Sequence, residues 1–323
     1  MSAPHGVPAP DTVDHSTSTT AGRNRLLLVK GAITLGLLAF LATKVDVAAA
    51  LTRLQGASVG LLLLAVVIVT LEIPLAAFRW MLLAQRTGAE MSFRLALQLS
   101  FAGLFFGQVL PASIGGDVVR GYLAYRNGVE WQPLVSSLVL DRIIALLAAV
   151  VLILLGLPWM LGNAVGALTW TAVASALLVA GLIAGLFVDL LPLPQALKQR
   201  AFVKTVLDLI GKTRHSLASA AGLVAVGVSI IIHLMTILVV VAVGSALGID
   251  DMLMPSVLVV PTALIAAAIP VSLNGWGVRE GVMVAGFALF GIGQADAFLV
   301  SVLLGVSVVI SALPGGFTWL TLR

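Results

Sequence analysis

Long charge-poor apolar stretches alternate along this chain with short polar turns, and none shows the two-residue period of a barrel strand. The stretches fall at 26–43, 58–84, 93–125, 134–157, 164–191, 217–247, 254–293 and 296–321. A helix needs about 20 residues to cross a bilayer, so about six of these are predicted to be full spans. The other two, 93–125 and 254–293, are interrupted in their middles. The interruptions read Leu110-Pro111-Ala112-Ser113-Ile114-Gly115-Gly116 and Ile269-Pro270-Val271-Ser272-Leu273-Asn274-Gly275-Trp276-Gly277. Proline and glycine there end a helix rather than continue it, so Pro111, Gly115, Gly116, Pro270, Gly275 and Gly277 mark the breaks. Residues 1–22 lack any period and predict a disordered cytoplasmic tail. Arg23 and Arg25 then lead into a first span rather than a cleaved leader, since no small-x-small site follows. The linkers 44–57 and 195–216 are amphipathic and suit helices at the lipid–water boundary. A solvated basic loop is the other reading of 195–216.

Composition sharpens this picture. The 323 residues are 60% apolar and 10% charged, with a mean hydropathy of +1.13, against about 25% charged in soluble domains. The pattern is that of a polytopic helical membrane protein. There is no cysteine, which excludes disulfides and thiolate chemistry, and two of the four histidines lie in the tail, so no metal site is expected. The net charge of +4 is expected to reflect cytoplasmic loops rather than nucleic-acid binding. No phosphate-binding glycine loop of the G-x-x-x-x-G-K-[ST] type occurs, and no cofactor is expected.

The two interruptions align without a gap at an offset of 159 residues, giving P-x-S-[IL]-[GN]-G-x-x-V-R, with Arg120 matched by Arg279. This predicts a duplication, with repeat 1 at 23–160 and repeat 2 at 161–323. No Lys or Arg occurs from 143 to 197 or from 215 to 278, whereas 198–214 holds five. The positive-inside rule puts that loop and both termini in the cytoplasm. Counting spans from there makes 93–125 enter and leave on the cytoplasmic side. Segment 254–293 is then either a hairpin dipping from the opposite face or two short spans. The expected fold is all-α: two inverted repeats, about six spans and two re-entrant helical hairpins around a central polar cavity, an architecture of secondary transporters.

Charge inside lipid costs about 2.5–3.5 kcal/mol per residue on insertion scales, so the embedded ionisable residues are the candidates for function. They are Glu72, Asp117, Arg120, Asp141, Arg142, His233, Arg279 and Glu280. Asp117 and Arg120 are three apart and share a helix face. Asp117 either caps that helix or serves the cavity. Arg120 and Arg279 are expected to line the cavity from opposite sides, where guanidinium groups and helix starts both favour phosphate. Arg142 is expected to reach Asp117, and Glu280 to neutralise Arg279 or Arg142. Glu72 and His233, at similar depths in corresponding spans, are either carriers of a coupling proton or buried groups bonded to a neighbouring helix. Trp80, Trp159, Trp170 and Trp319 read as interfacial anchors, and Trp276 as a cavity wall beside Asn274.

At these residues the sequence resembles the lysylphosphatidylglycerol synthase transmembrane family. The carriers are P-x-S-I-G-G-D-V-V-R, the pair Asp141-Arg142 eight residues into the fourth segment, and P-V-S-L-N-G-W-G-V-R-E. The resemblance covers roughly 25–320. It implies a multi-pass protein of the bacterial inner membrane that moves lipids or helps modify them, with Asp117, Arg120, Asp141, Arg142, Arg279 and Glu280 at matching positions. Asn274 and Trp276 depart from the family's glycine-rich stretch, and Asp141 stands where Glu is more usual. No soluble aminoacyl-transferase domain follows Arg323 in the sequence, so lipid transport rather than enzymatic transfer is expected. The cargo would be a membrane lipid with an anionic or zwitterionic headgroup. The alternatives are an integral-membrane transferase acting on a polyprenyl or phospholipid substrate, or an accessory protein of hopanoid or glycolipid synthesis that works with a lipid-synthesis enzyme.

Overall fold

Apolar residues with few breakers cannot leave backbone N–H and C=O groups unpaired in lipid, and a helix pairs them within the segment. The computed structural model follows this rule. It describes residues 52–109, 115–162, 200–269 and 275–322, with Ser272 and scattered positions between 177 and 194. The tail, the first span, most of 164–191, Pro111, Pro270 and Asn274 lie outside the described residues.

The helices are α1 (Val59–Thr87), α2 (Phe93–Val109), α3 (Gly115–Arg126), α4 (Trp131–Gly162) and α5 (Ala201–Leu217). They continue with α6 (Ala220–Ala246), α7 (Leu253–Ala268), α8 (Val278–Ala288), α9 (Gln294–Ala312) and α10 (Pro314–Thr321). Among the described residues, 4 helical stretches are long and apolar enough to cross a membrane: Val59–Thr87, Trp131–Gly156, Ala220–Ala246 and Gln294–Thr321. Their outward faces carry apolar side chains such as Leu63, Leu71, Leu223 and Leu238. A water-soluble helix would place charge there. The chain is a multi-pass membrane protein. α5 makes 201–217 helical, which decides against the irregular-loop reading of that stretch.

Helix ends follow local chemistry. α1 stops at Gly88, which takes a φ of 88° and returns its N–H to Ala84 and Gln85. α6 starts where the Ser219 hydroxyl accepts the Gly222 N–H at 3.1 Å.

Each interrupted segment is a pair of helices folded on one another, α2 with α3 and α7 with α8. At 1.5 Å per residue these helices are about 17–26 Å long, short of the roughly 30 Å hydrocarbon core. The first pair closes through glycine. A Cβ on Gly116 would lie 2.5 Å from the Gly103 carbonyl oxygen and 3.4 Å from Gly107 Cα, so no larger residue fits. Gly116→Ala is expected to cost about 1–3 kcal/mol by forcing the two backbones apart. The check is the thermal midpoint in detergent. Gly227→Ala on α6, where a Cβ meets nothing within 4 Å, is the matched control and should not lower it.

α1 and α6 form the central pair and bury Ala65, Val69, Ile237, Val240 and Val243. Beside a contact of α10 with α2, the contacts of α1–α4 and α6–α9 fall into matching sets. α1 packs on α2, α4 and α9, while α6 packs on α7, α9 and α4. The α2–α3 pair leans on α4 and α9, and the α7–α8 pair leans on α9 and α4. Trp80 corrects one sequence expectation. It is fully buried, and its indole N–H donates to Ser137 Oγ at 3.1 Å instead of reaching an interface. The physical reason is the Arg120 guanidinium 4.2 Å above its ring, which anchors it inside.

Candidate functional site

Five charged side chains from α1, α3 and α4 meet between the helices and alternate in sign. Arg79 Nε donates to Asp141 Oδ1 at 2.7 Å, and Arg120 Nη2 to Asp141 Oδ2 at 3.2 Å. Arg120 Nη2 also lies 3.0 Å from Asp117 Oδ1, and Arg142 Nε donates to Asp117 Oδ2 at 2.5 Å. Arg79 Nη1 reaches Ser229 Oγ of α6 at 3.1 Å. Three guanidinium groups therefore face two aspartates. Asp141 and Arg142 are adjacent in sequence and point about 100° apart on α4. That divergence lets one residue serve the buried end of the chain of charges and the other its open end. Asp141 is 2% exposed, whereas the Arg142 side chain is 57% exposed. Asp117 sits in the first turn of α3, as expected. Among the described residues it spends its carboxylate on the two arginines rather than on a backbone cap.

This network forms one wall of a cavity of about 250 Å³, room for roughly eight waters. Asp117, Arg120 and Arg142 line it with Glu72 and Ile73 of α1, Ser100, Gly103, Gly107 and Gln108 of α2, Ile232 of α6 and Val308 of α9. Gly116 at the start of α3 lines it too, so the glycine-mediated closure of the α2–α3 pair shapes its wall. Two buried polar atoms at this wall, Ser100 Oγ and Arg120 Nε, have no hydrogen-bond partner among the described residues. A buried donor left unmade costs about 1–3 kcal/mol, which makes both natural contacts for an occupant. Glu72 lies two helical turns before Arg79. Among the described residues its partner is the Thr236 hydroxyl, which donates to Oε1 at 3.0 Å.

The second interrupted segment builds something different. Glu280 is fully buried and lies 2.5 Å from Arg279 Nη2 through Oε1 and 2.5 Å from the Gly277 N–H through Oε2. Arg279 Nε also donates to Ser301 Oγ at 3.3 Å, and the guanidinium stacks 4.9 Å from the Trp276 ring. Gly275 and Gly277 take φ of 77° and 85°, a region that favours glycine. Gly305 of α9 leaves the space that Arg279 and Trp276 fill.

The expectation that Arg120 and Arg279 share a cavity is therefore corrected. Arg120 lines it and Arg279 does not, because Glu280, Ser301 and Trp276 satisfy and enclose the second guanidinium. Trp276 and Glu280 likewise belong to that closed cluster and not to the cavity wall. Glu280 neutralises Arg279, not Arg142. At the offset of 159 residues, Ser301 stands where Arg142 does and Trp276 where Asp117 does, so the Asp117–Arg142 ion pair has no counterpart in the second half. His233 Nε2–H donates to the Ala145 carbonyl, 2.9 Å away, and the residue is absent from the cavity wall. Asn274 is outside the described residues. Sequence reasoning gave Arg79 no role. Its spacing of seven from Glu72 puts both on one face of α1, which was the available signal. Ser100 carried none, because serine is ordinary in a membrane helix.

The family model of the lysylphosphatidylglycerol synthase TM region matches residues 27–315. No curated protein and no solved structure matches the chain.

Proposed function

The chain belongs to the lysylphosphatidylglycerol synthase TM-region family, and on that premise we propose that it moves a polar-headed membrane lipid between the two leaflets of a bacterial cytoplasmic membrane. The observation that carries this reading is the cavity beside the α2–α3 break, with the Arg120 and Arg142 guanidinium groups at its wall and two buried polar atoms without partners among the described residues. Irregular backbone at membrane depth is tolerated where it lines a wet cavity, and guanidinium groups recognise phosphate well. A headgroup would enter between the helices while its acyl chains stay in lipid.

The matching contact sets of α1–α4 and of α6–α9 support an origin by duplication. We read the halves as inverted repeats, with the two short helix pairs dipping from opposite faces. The 198–214 loop and both termini then lie on the cytoplasmic side. Opening at one break and then at the other would expose a single site alternately to each leaflet.

The test is exchange of fluorescently labelled phospholipid between leaflets in proteoliposomes. The wild-type chain is expected to accelerate exchange over protein-free vesicles. Arg142→Gln should slow it about tenfold or more, the worth of a charged hydrogen bond. Ser100→Ala should slow exchange without lowering the thermal midpoint, since its hydroxyl bonds to nothing among the described residues. Wild-type exchange at the protein-free rate, with product formed from lipid donors instead, would transfer the assignment to a transferase.

A further inference from the structure

We infer that Glu72 is the proton-carrying group of this cavity, and that an anionic phospholipid headgroup and a proton occupy it together. The inference rests on the lipid-transport reading above and adds the substrate charge and the coupling ion. The structure separates the two candidates for a coupling proton in the central pair, Glu72 and His233. His233 is held by the Ala145 carbonyl away from the cavity, whereas Glu72 opens onto it.

The groups that share this cavity with Glu72 can be named helix by helix. α3 presents Asp117 and Arg120, α4 presents Arg142, α2 presents Ser100 and Gln108, and α9 presents Val308. α6 contributes the Thr236 hydroxyl. The cations in this set are already engaged by aspartate, and Glu72 makes no ion pair among the described residues. Its charge is therefore set by what else fills the cavity. Arg79, seven residues beyond Glu72 on α1, is joined through Asp141 to Arg120, so the separation from Glu72 to the arginine wall is taken as two helical turns, roughly 10 Å. A phosphate held there and an ionised Glu72 are like charges. At that distance and an effective dielectric near 20, the repulsion changes affinity by roughly tenfold. Linkage is reciprocal: headgroup binding favours protonation of Glu72, and protonation favours the headgroup. No bond is made or broken. A proton binds one Glu72 carboxylate oxygen from one aqueous side and leaves to the other with the lipid. The phosphate's negative charge and the proton's positive charge cancel, so the cycle moves no net charge.

The experiment uses the full chain in proteoliposomes containing labelled phosphatidylglycerol and an imposed pH difference. The label is expected to accumulate in the leaflet facing the alkaline side, and a membrane potential alone should not bias it. Glu72→Gln should abolish the bias, Glu72→Asp should restore it in part, and His233→Gln should leave it intact. Wild-type exchange that ignores the gradient would overturn the coupling and leave lipid transport standing. Bias that survives Glu72→Gln, or disappears in His233→Gln, would overturn the assignment to Glu72. Absence of any exchange would bring down the transport reading and this inference together.

Discussion

Asp141→Asn is expected to destabilise the protein by about 3–5 kcal/mol, the usual cost of removing one partner from a buried ion pair. Asp141 is 2% exposed and receives Arg79 at 2.7 Å and Arg120 at 3.2 Å on its two oxygens. An asparagine offers one acceptor oxygen and no charge. Arg79 would lose its only carboxylate partner among the described residues, and Arg120 and Arg142 would share Asp117. Arg79 and Arg120 are each 8% exposed, so water cannot take over. The measurement is the thermal midpoint in detergent, compared with Asp117→Asn, whose partner Arg142 remains open to solvent and whose loss should cost less. Adding Arg79→Leu to Asp141→Asn should recover part of the loss, because an uncompensated buried charge costs more than an apolar replacement. A variant as stable as wild type would mean that the buried charges do not hold α1, α3 and α4 together.

Glu280→Gln should show a loss of the same order at the other end of the molecule. Glu280 is fully buried and holds three groups at once: the Arg279 guanidinium, the Gly277 N–H at the start of α8, and Ser301 Oγ at 3.3 Å. Gln keeps the Gly277 bond through its amide oxygen but leaves Arg279 against Ser301 and the Trp276 face. The double variant Arg279→Met with Glu280→Gln should melt higher than Glu280→Gln alone, since it removes the stranded charge. If the double variant is worse, packing against Trp276 and Gly305 outweighs the electrostatics, and the cluster is held by shape. Because Arg279 lies off the cavity wall, residual lipid exchange in these variants should track the folded fraction. In Arg142→Gln, by contrast, exchange should fall without loss of folded protein.

Hydrophobic spacing and the price of embedded charge determined a good deal on their own. The apolar runs near 58–84, 134–157 and 217–247 appear as α1, α4 and α6 with ends shifted by a few residues. The two Pro- and Gly-marked segments are helix pairs, as their breakers dictate. Even one long-range contact was legible: Asp117 at a helix start and Arg142 embedded in the next segment had few other partners available, and they meet. What only the tertiary structure decided is which embedded charges face a space and which are sealed. Arg120 and Arg279 occupy equivalent positions in one repeated motif, yet their neighbours differ. Arg120 meets Asp117 and the buried Asp141, and with Asp117 it remains at a cavity wall, while Arg279 meets Glu280, a serine and a tryptophan that close around it. Local sequence sets the helix and the charge it carries. The neighbours arrive from helices far along the chain, and their packing determines whether that charge is left open to a ligand.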